Sequence, residues 1–260
     1  MSNGKEILKA YESLKVNNPQ AASSLNNLEV SLSLESQYHA AIRQSEEFWR
    51  LLRADIQKLE KAMGAVSDAV SHEVKMATRS LFREIHLYYY ESEKKKIQFR
   101  RTKHLAQARV ARNVVEHGLK KIPFRYVRTE RESTFEWTLG IDLTVAPKRL
   151  ANRVEELWDR NKVILKELLK KNVDYINISD IAEKTVEDMI LHHISITEEV
   201  RPTVRDDSDN LHKARKELMN DFGEAMGDIL AHHFDEAREY LVLSEENEAI
   251  AERIMDLLGK

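Results

Sequence analysis

The sequence contains no cysteine, so the chain can form neither a disulfide bond nor a zinc site with thiolate ligands. Glycine and proline are also scarce, with seven and four residues in a chain of 260. This shortage of helix-breaking residues, together with a charged fraction of 33%, favours long helices joined by few loops. The hydrophobic fraction of 42% is sufficient for a sizeable core.

Long apolar runs are missing as well. No window approaches the roughly eighteen consecutive uncharged apolar residues that a membrane-spanning helix needs. The N-terminal sequence MSNGKEILKAYESLK also lacks the apolar run of a signal peptide. We therefore expect a cytoplasmic protein without membrane contact.

Catalytic motifs such as a phosphate-binding loop are not found in the sequence. Two pairs of adjacent histidines, His192 with His193 and His232 with His233, lie in predicted helices near carboxylates and are candidate metal ligands. Adjacent residues of a helix point about 100° apart, so only one histidine of each pair can face a shared site. The Glu-x-x-His spacing of metal sites in helical bundles is also missing. We therefore predict no catalytic residue, no metal site, no cofactor and no enzyme activity, with these histidines in the interior or at helix ends.

The dominant feature of the sequence is a basic segment, residues 94–131, in which thirteen Lys or Arg residues stand against two Glu residues. Its net charge is +11 in a chain of net charge −3, and Asp206 to Asp256 carries fifteen acidic residues. Clustered Lys and Arg form a surface for polyanions, because each phosphate contact releases condensed counterions. The candidate nucleic-acid-binding residues are Lys94, Lys95, Lys96, Arg100, Arg101, Lys103, Arg109, Arg112, Lys120, Lys121, Arg125, Arg128 and Arg131.

Hydrophobic periodicity predicts a mainly α protein, a bundle of long helices with one small antiparallel β element. A hairpin is expected at about 124–145, with Phe124 and Tyr126 on its apolar face and a bulge at Gly140. The alternating segment LEVSLSL, residues 28–34, predicts an additional strand that is a candidate partner for the hairpin. The tyrosines at 88 to 90 are expected to pack in the core rather than to stack on bases.

The predicted domains are an N-terminal arm at 1–26, a helical core with the hairpin and the basic surface at 27–202, and acidic C-terminal helices at 203–260. The linkers that separate them are NNPQAASSLNN and TVRDDSDN, which are rich in polar and turn-forming residues. Helix starts are predicted at Ser36, Asp180, Ser208 or Asp209, and Ser244. Between Gly64 and Asp68 the pattern fits both a kink and a turn.

One family resembles this order of elements. A strand that runs into a helix, LEVSLSLESQYHAAI, is followed after a helical region by a strand, a proline and another helix, IDLTVAPKRLANRVEELWDRNKVILKELL. This arrangement, over about 27–185, resembles the AcaB-like transcriptional regulators of conjugative plasmids and integrative conjugative elements. The resemblance implies a DNA-binding activator of mobile-element genes.

The expected function is therefore a non-enzymatic DNA-binding protein that grips phosphates through a basic helix and the hairpin. The alternative is a helical scaffold or adaptor of phage or conjugative machinery that binds an acidic protein partner with the same face. The basic residues could also be solvated charges on an exposed helix. A homodimer is expected, because the apolar stripe from Leu150 to Leu168 is suited to pack across a two-fold axis.

Overall fold

The structure is a computed structural model of the chain. It describes residues 4–61, 70–94, 103–112, 124–131, 134–142, 163 and 175–259. Within these residues it contains six α-helices and one antiparallel sheet, which confirms a mainly α protein with a small β element. The elements are α1 (Gly4–Asn17), α2 (Pro19–Lys61), α3 (His72–Lys94), α4 (Lys103–Arg112), β1 (Phe124–Arg131), β2 (Thr134–Asp142), β3 (Tyr175–Asn177), α5 (Ile178–Phe222) and α6 (Glu224–Leu258).

The chain forms two compact units. Unit 1 consists of Met1–His39 and His192–Ala249, and unit 2 consists of Ala40–Leu191 and Ile250–Lys260. The division into residues 1–26, 27–202 and 203–260 stays a prediction, but both linkers that marked its boundaries are helical in the structure.

The first of these linkers, NNPQAASSLNN, was predicted wrongly. Only its second residue, Asn18, lies between two helices, and its other residues are helical. Asn18 caps α2: its Oδ1 accepts a hydrogen bond of 3.1 Å from the backbone N–H of Ala21. Pro19 occupies the first helical position, where its missing N–H costs nothing. Beyond it, Ala22 and Leu25 are buried in the core of unit 1, so packing holds this polar-looking sequence in a helix.

The strand predicted at 28–34 is also wrong, since this segment lies inside α2 and cannot pair with the hairpin. Leu28 is buried against Val204 and Tyr240 in unit 1, and Leu32 packs on the same cluster one turn later. Seven residues with apolar side chains at alternate positions also place pairs of apolar residues four apart. That spacing suits a helix as well, and the long helix on both sides decides the outcome.

The second linker is helical because α5 continues through Pro202 for a total of 45 residues. Proline deprives the helix of one hydrogen bond, but Val204 and Leu211 on the following turns are buried in the core of unit 1 and hold the chain in place. No helix therefore starts at Ser208 or Asp209.

The remaining predicted helix starts were wrong as well. The cap of α5 is Asn177, whose Oδ1 accepts a hydrogen bond of 3.0 Å from the backbone N–H of Asp180. Ser36 lies inside α2, and Ser244 is buried inside α6. The break between α5 and α6 occurs at Gly223, where a φ of 78° favours glycine.

The predicted hairpin is confirmed over residues 124–142. β1 and β2 pair without interruption from Phe124 opposite Ile141 to Arg131 opposite Thr134, so the bulge predicted at Gly140 is wrong. Glycine is required at position 140 because of β3, a strand that was not predicted and that pairs with the other side of β2. A Cβ at position 140 would lie only 2.6 Å from Cδ2 of Tyr175.

Aromatic residues contribute to the interior of unit 2. Phe124 and Tyr126 are buried on the predicted apolar face of the hairpin. Tyr88 and Tyr89 on α3 are buried as expected, whereas Tyr90 is 52% exposed.

The predicted Gly64–Asp68 junction and, apart from Val163, the stripe from 150 to 168 lie outside the described residues. No helix within the described ranges has the length and apolar character needed to cross a bilayer.

Candidate nucleic-acid interface

The basic segment is described in part. Lys94 ends α3, Lys103 begins α4 and Arg131 ends β1. The side chains that the structure places are Arg109, Arg112, Arg125 and Arg128. The other predicted residues lie outside the described ranges: Lys95, Lys96, Arg100, Arg101, Lys120 and Lys121.

The short helix α4 presents its two arginines in the last turn, where positive charge interacts favourably with the helix dipole. Nη2 of Arg109 lies 3.1 Å from Oε1 of Glu93 on α3, and both side chains are about one-third exposed. This ion pair links α4 to α3. Sequence reasoning named Arg109 and did not anticipate its partner.

The two arginines of α4 also act on His86 of α3. Burial lowers the pKa of His86, and the neighbouring positive charges of Arg112 and Arg109 lower it further, to about 4, although Glu93 opposes them. The imidazole is therefore neutral at physiological pH. Burial is the main cause of this shift, and each arginine acts on the imidazole more strongly than the opposing Glu93.

α4 is fixed to α5 by a histidine and a carboxylate. Nδ1 of His104 lies 3.0 Å from Oδ2 of Asp188, and the hydroxyl of Thr185 donates a hydrogen bond of 3.3 Å to the carbonyl of His104. Burial raises the pKa of Tyr89, and the negative charge of Asp188 raises it further, so the phenol stays neutral. These contacts fix the position of α4 and therefore of the backbone that carries its two arginines.

The hairpin carries the other two described cations. Arg125 lies over the ring of Tyr175 at 5.7 Å, and its Nη1 is 3.5 Å from Oδ2 of the largely buried Asp142. Arg128 is exposed on β1. Arg125 therefore has a structural role in the sheet.

A carboxylate that sequence reasoning missed anchors the hairpin to α2. The hydroxyl of Tyr126 donates a hydrogen bond of 2.9 Å to Oδ2 of Asp55, and the backbone N–H of Ser71 donates one of 3.1 Å to the same oxygen. Burial alone would raise the pKa of the Asp55 carboxyl, but the hydrogen bonds from Ser71 and Tyr126 outweigh it and lower this pKa. The carboxylate therefore stays ionised and fixes β1 at the buried end of the hairpin.

The histidine pairs behave as helical geometry requires. One member of each pair, His193 and His233, is buried in unit 1, and His232 is exposed. Among the described residues, no three histidine or carboxylate side chains come together in a way that could hold a metal ion.

His193 belongs to a buried polar cluster in unit 1 that the sequence did not reveal. Its Nε2 lies 3.1 Å from Oε2 of Glu35, and Nδ2 of Asn247 donates a hydrogen bond of 2.7 Å to Oε1 of the same carboxylate. The ring of Tyr38 stacks on the imidazole at 3.5 Å. Nδ1 of His39 donates to Oδ1 of Asn247 at 2.6 Å, so the cluster joins α2, α5 and α6.

The chain matches no protein-family model, no curated protein and no solved structure.

Proposed function

We propose that the chain is a non-enzymatic nucleic-acid-binding protein that grips the phosphates of DNA through its basic segment. The single observation that carries this proposal is the net charge of +11 over residues 94–131 in a chain of net charge −3. A charge excess of this size attracts a polyanion before any specific contact forms. The proposed class of function is regulation of transcription in a mobile element, which the sequence resemblance to AcaB-like regulators implies; the first strand of that resemblance, residues 28–34, is helical in the structure.

The described part of the segment adds a geometric argument. Glu93 holds Arg109 of α4 and Asp142 holds Arg125 of β1, and side chains held in this way lose less conformational entropy when they bind. Asp188 holds α4 itself through His104. Arg128 is exposed on β1, and Arg112 at the end of α4 is partly exposed.

The test is a fluorescence-anisotropy titration of a labelled DNA duplex at about 50 mM and about 200 mM salt. We expect binding that weakens steeply with salt, because the released counterions enter the equilibrium. A matched RNA duplex distinguishes DNA from RNA. Absence of binding at low salt, or an affinity that does not change with salt, contradicts the proposal.

A pair of double variants separates this segment from general charge effects. Arg100→Ala with Arg101→Ala should lower the magnitude of the salt slope by about two, one for each lost phosphate contact. The control is Arg215→Ala with Lys216→Ala, which removes two exposed adjacent cations from α5 in unit 1. The control should leave the slope unchanged. Equal slopes in both variants would show that the position of the charges is irrelevant.

A second candidate function is favoured by the ion pairs of the described arginines. Arg109 and Arg125 each interact with a carboxylate of the chain itself, which shows that this surface accepts acidic side chains. The alternative is therefore a scaffold or adaptor that binds an acidic protein partner. The test adds polyglutamate, at equal charge concentration, to the complex of the protein with the labelled duplex. Displacement of the duplex, with the protein retained on the peptide, would favour the scaffold or adaptor.

The assembly and location of the protein are part of the proposal. We propose a homodimer in the cytoplasm, because dimeric regulators contact two half-sites and a paired basic surface doubles the number of phosphate contacts. Light scattering should return about twice the chain mass of 30.3 kDa. A mass near that of a single chain over a wide concentration range contradicts the dimer and leaves nucleic-acid binding open to its own test.

A further inference from the structure

Unit 1 contains a second buried histidine whose surroundings differ sharply from those of His193. His233 is 2% exposed, and neither of its ring nitrogens has a hydrogen-bond partner among the described residues. Leu230 and Ala237, one turn before and one turn after it on α6, are both buried in the core. A polar ring therefore lies on the apolar face of α6 without the carboxylate that satisfies the other histidine.

The groups that act on His233 come from its own helix and from the helices that pack against it. On α5, Asp207 is the nearby negative charge, and Oδ1 of this carboxylate accepts a hydrogen bond of 2.8 Å from the hydroxyl of Ser24 on α2. On α6, His232 is the neighbouring titratable group, and the ring of Phe234 lies 5.7 Å away. Oδ1 of Asp207 is thus already bonded to a serine.

We propose that His233 is an acid-sensitive switch in unit 1, and that uptake of a proton by its buried ring loosens the packing of α2, α5 and α6. The neutral ring is tolerated in the core at the cost of two lost hydrogen bonds. The charged ring is not, because a buried cation without a bonded partner carries a far larger desolvation cost.

The direction of the pH effect follows from linkage. Burial lowers the pKa of His233 and the neighbouring His232 lowers it further, while Asp207 opposes both. The unfolded chain takes up a proton below the ordinary histidine value of about 6.5, whereas the folded chain resists it. The contribution to stability is therefore fully present above that value, and it is lost as the pH falls towards the lowered pKa of the folded state.

The experiment measures unfolding of the full chain in urea by circular dichroism at about pH 7.5 and about pH 5.0. If the ring stays neutral in the folded chain, uptake of one proton by His233 of the unfolded chain raises the unfolding equilibrium constant by up to about thirtyfold between these two pH values. The leucine variant, His233→Leu, should lose this part of the acid response. The matched control is His232→Gln, because this adjacent side chain is 75% exposed and pairs with Glu236 on its own helix. The control should keep most of the response of the wild type, because burial, rather than His232, is the main cause of the lowered pKa of His233.

The result that would overturn the proposal is an acid response of His233→Leu equal to that of the wild type. A second measurement decides the question if the leucine variant does not fold. In NMR spectra of the wild type, the ring protons of His233 should not titrate near pH 6.5 while the protein remains folded. A titration with an ordinary midpoint and no loss of structure would show that the ring accepts a proton harmlessly, which also overturns the proposal.

Discussion

Removal of His193 alone should cost far more stability than removal of His193 and Glu35 together. The carboxylate is 3% exposed and the imidazole 4%, so neither group can turn to water when its partner is lost. In His193→Leu, Oε2 of Glu35 loses its 3.1 Å contact, and Asn247 remains as the donor to the other carboxylate oxygen. The substitution therefore leaves a buried and half-satisfied negative charge.

The magnitude follows from the behaviour of buried ion pairs. Breaking such a pair by deleting one partner costs about 3 to 5 kcal/mol, whereas replacing both partners with apolar side chains of similar size is often neutral. The double variant Glu35→Leu with His193→Leu should therefore lie within about 1 kcal/mol of the wild type. Asn247 keeps an acceptor in that variant, since its Nδ2 also donates to the backbone carbonyl of residue 35 at 3.3 Å.

The assay is urea unfolding at neutral pH for the wild type, the two single variants and the double variant. The double-mutant cycle formed by these four proteins should return a coupling energy of at least about 2 kcal/mol between the two side chains. Additive effects of the two single substitutions would refute the reasoning, because they would mean that the two side chains do not depend on each other. A loss of less than about 1 kcal/mol in His193→Leu would show that the carboxylate finds another partner or a proton.

Three further substitutions test the packing and the backbone. Tyr126→Phe should lower the free energy of unfolding by about 1.5 to 3 kcal/mol, because it removes a hydrogen bond to the ionised Asp55; Tyr90→Phe, at an exposed position, is the control and should have almost no effect. Gly223→Ala should cost about 1 kcal/mol in thermal unfolding, since alanine disfavours the positive φ at this helix end, and an unchanged melting temperature would contradict this account. Tyr89→Ala should cost about 3 to 5 kcal/mol in urea unfolding, and a cost below about 1 kcal/mol would mean that its ring does not pack as a core residue.

The sequence predicted the elements whose local pattern has a single interpretation. Residues 134–142 carry an apolar side chain at every second position after a polar tip, and no helical stripe competes with that alternation, so the hairpin was recognised. Residues 28–34 alternate too, but the same letters fit a helix, and the choice depends on Leu28 meeting Val204 far along the chain. The local sequence pattern gives no information about that contact.

The polar contacts that define the sites depend on the same kind of distant pairing. Glu35 and His193 are 158 positions apart, and Tyr126 finds Asp55 at a separation of 71. A single glutamate in a helical pattern is interpreted as a surface residue until its partner is known. The basic segment was recognised from composition alone, because net charge requires no knowledge of contacts, but composition did not indicate that Arg109 faces Glu93.

Within the described residues, β1 is an edge strand of the three-stranded sheet. The outer backbone groups of an edge strand can pair with a strand of another molecule, which makes such edges starting points for aggregation. Charged side chains on β1, Arg125 and Arg128 among them, make the approach of a second strand unfavourable. We therefore expect these arginines to disfavour aggregation through the edge of β1 independently of any ligand, so that alanine variants of β1 should form aggregates more readily during refolding than the wild type.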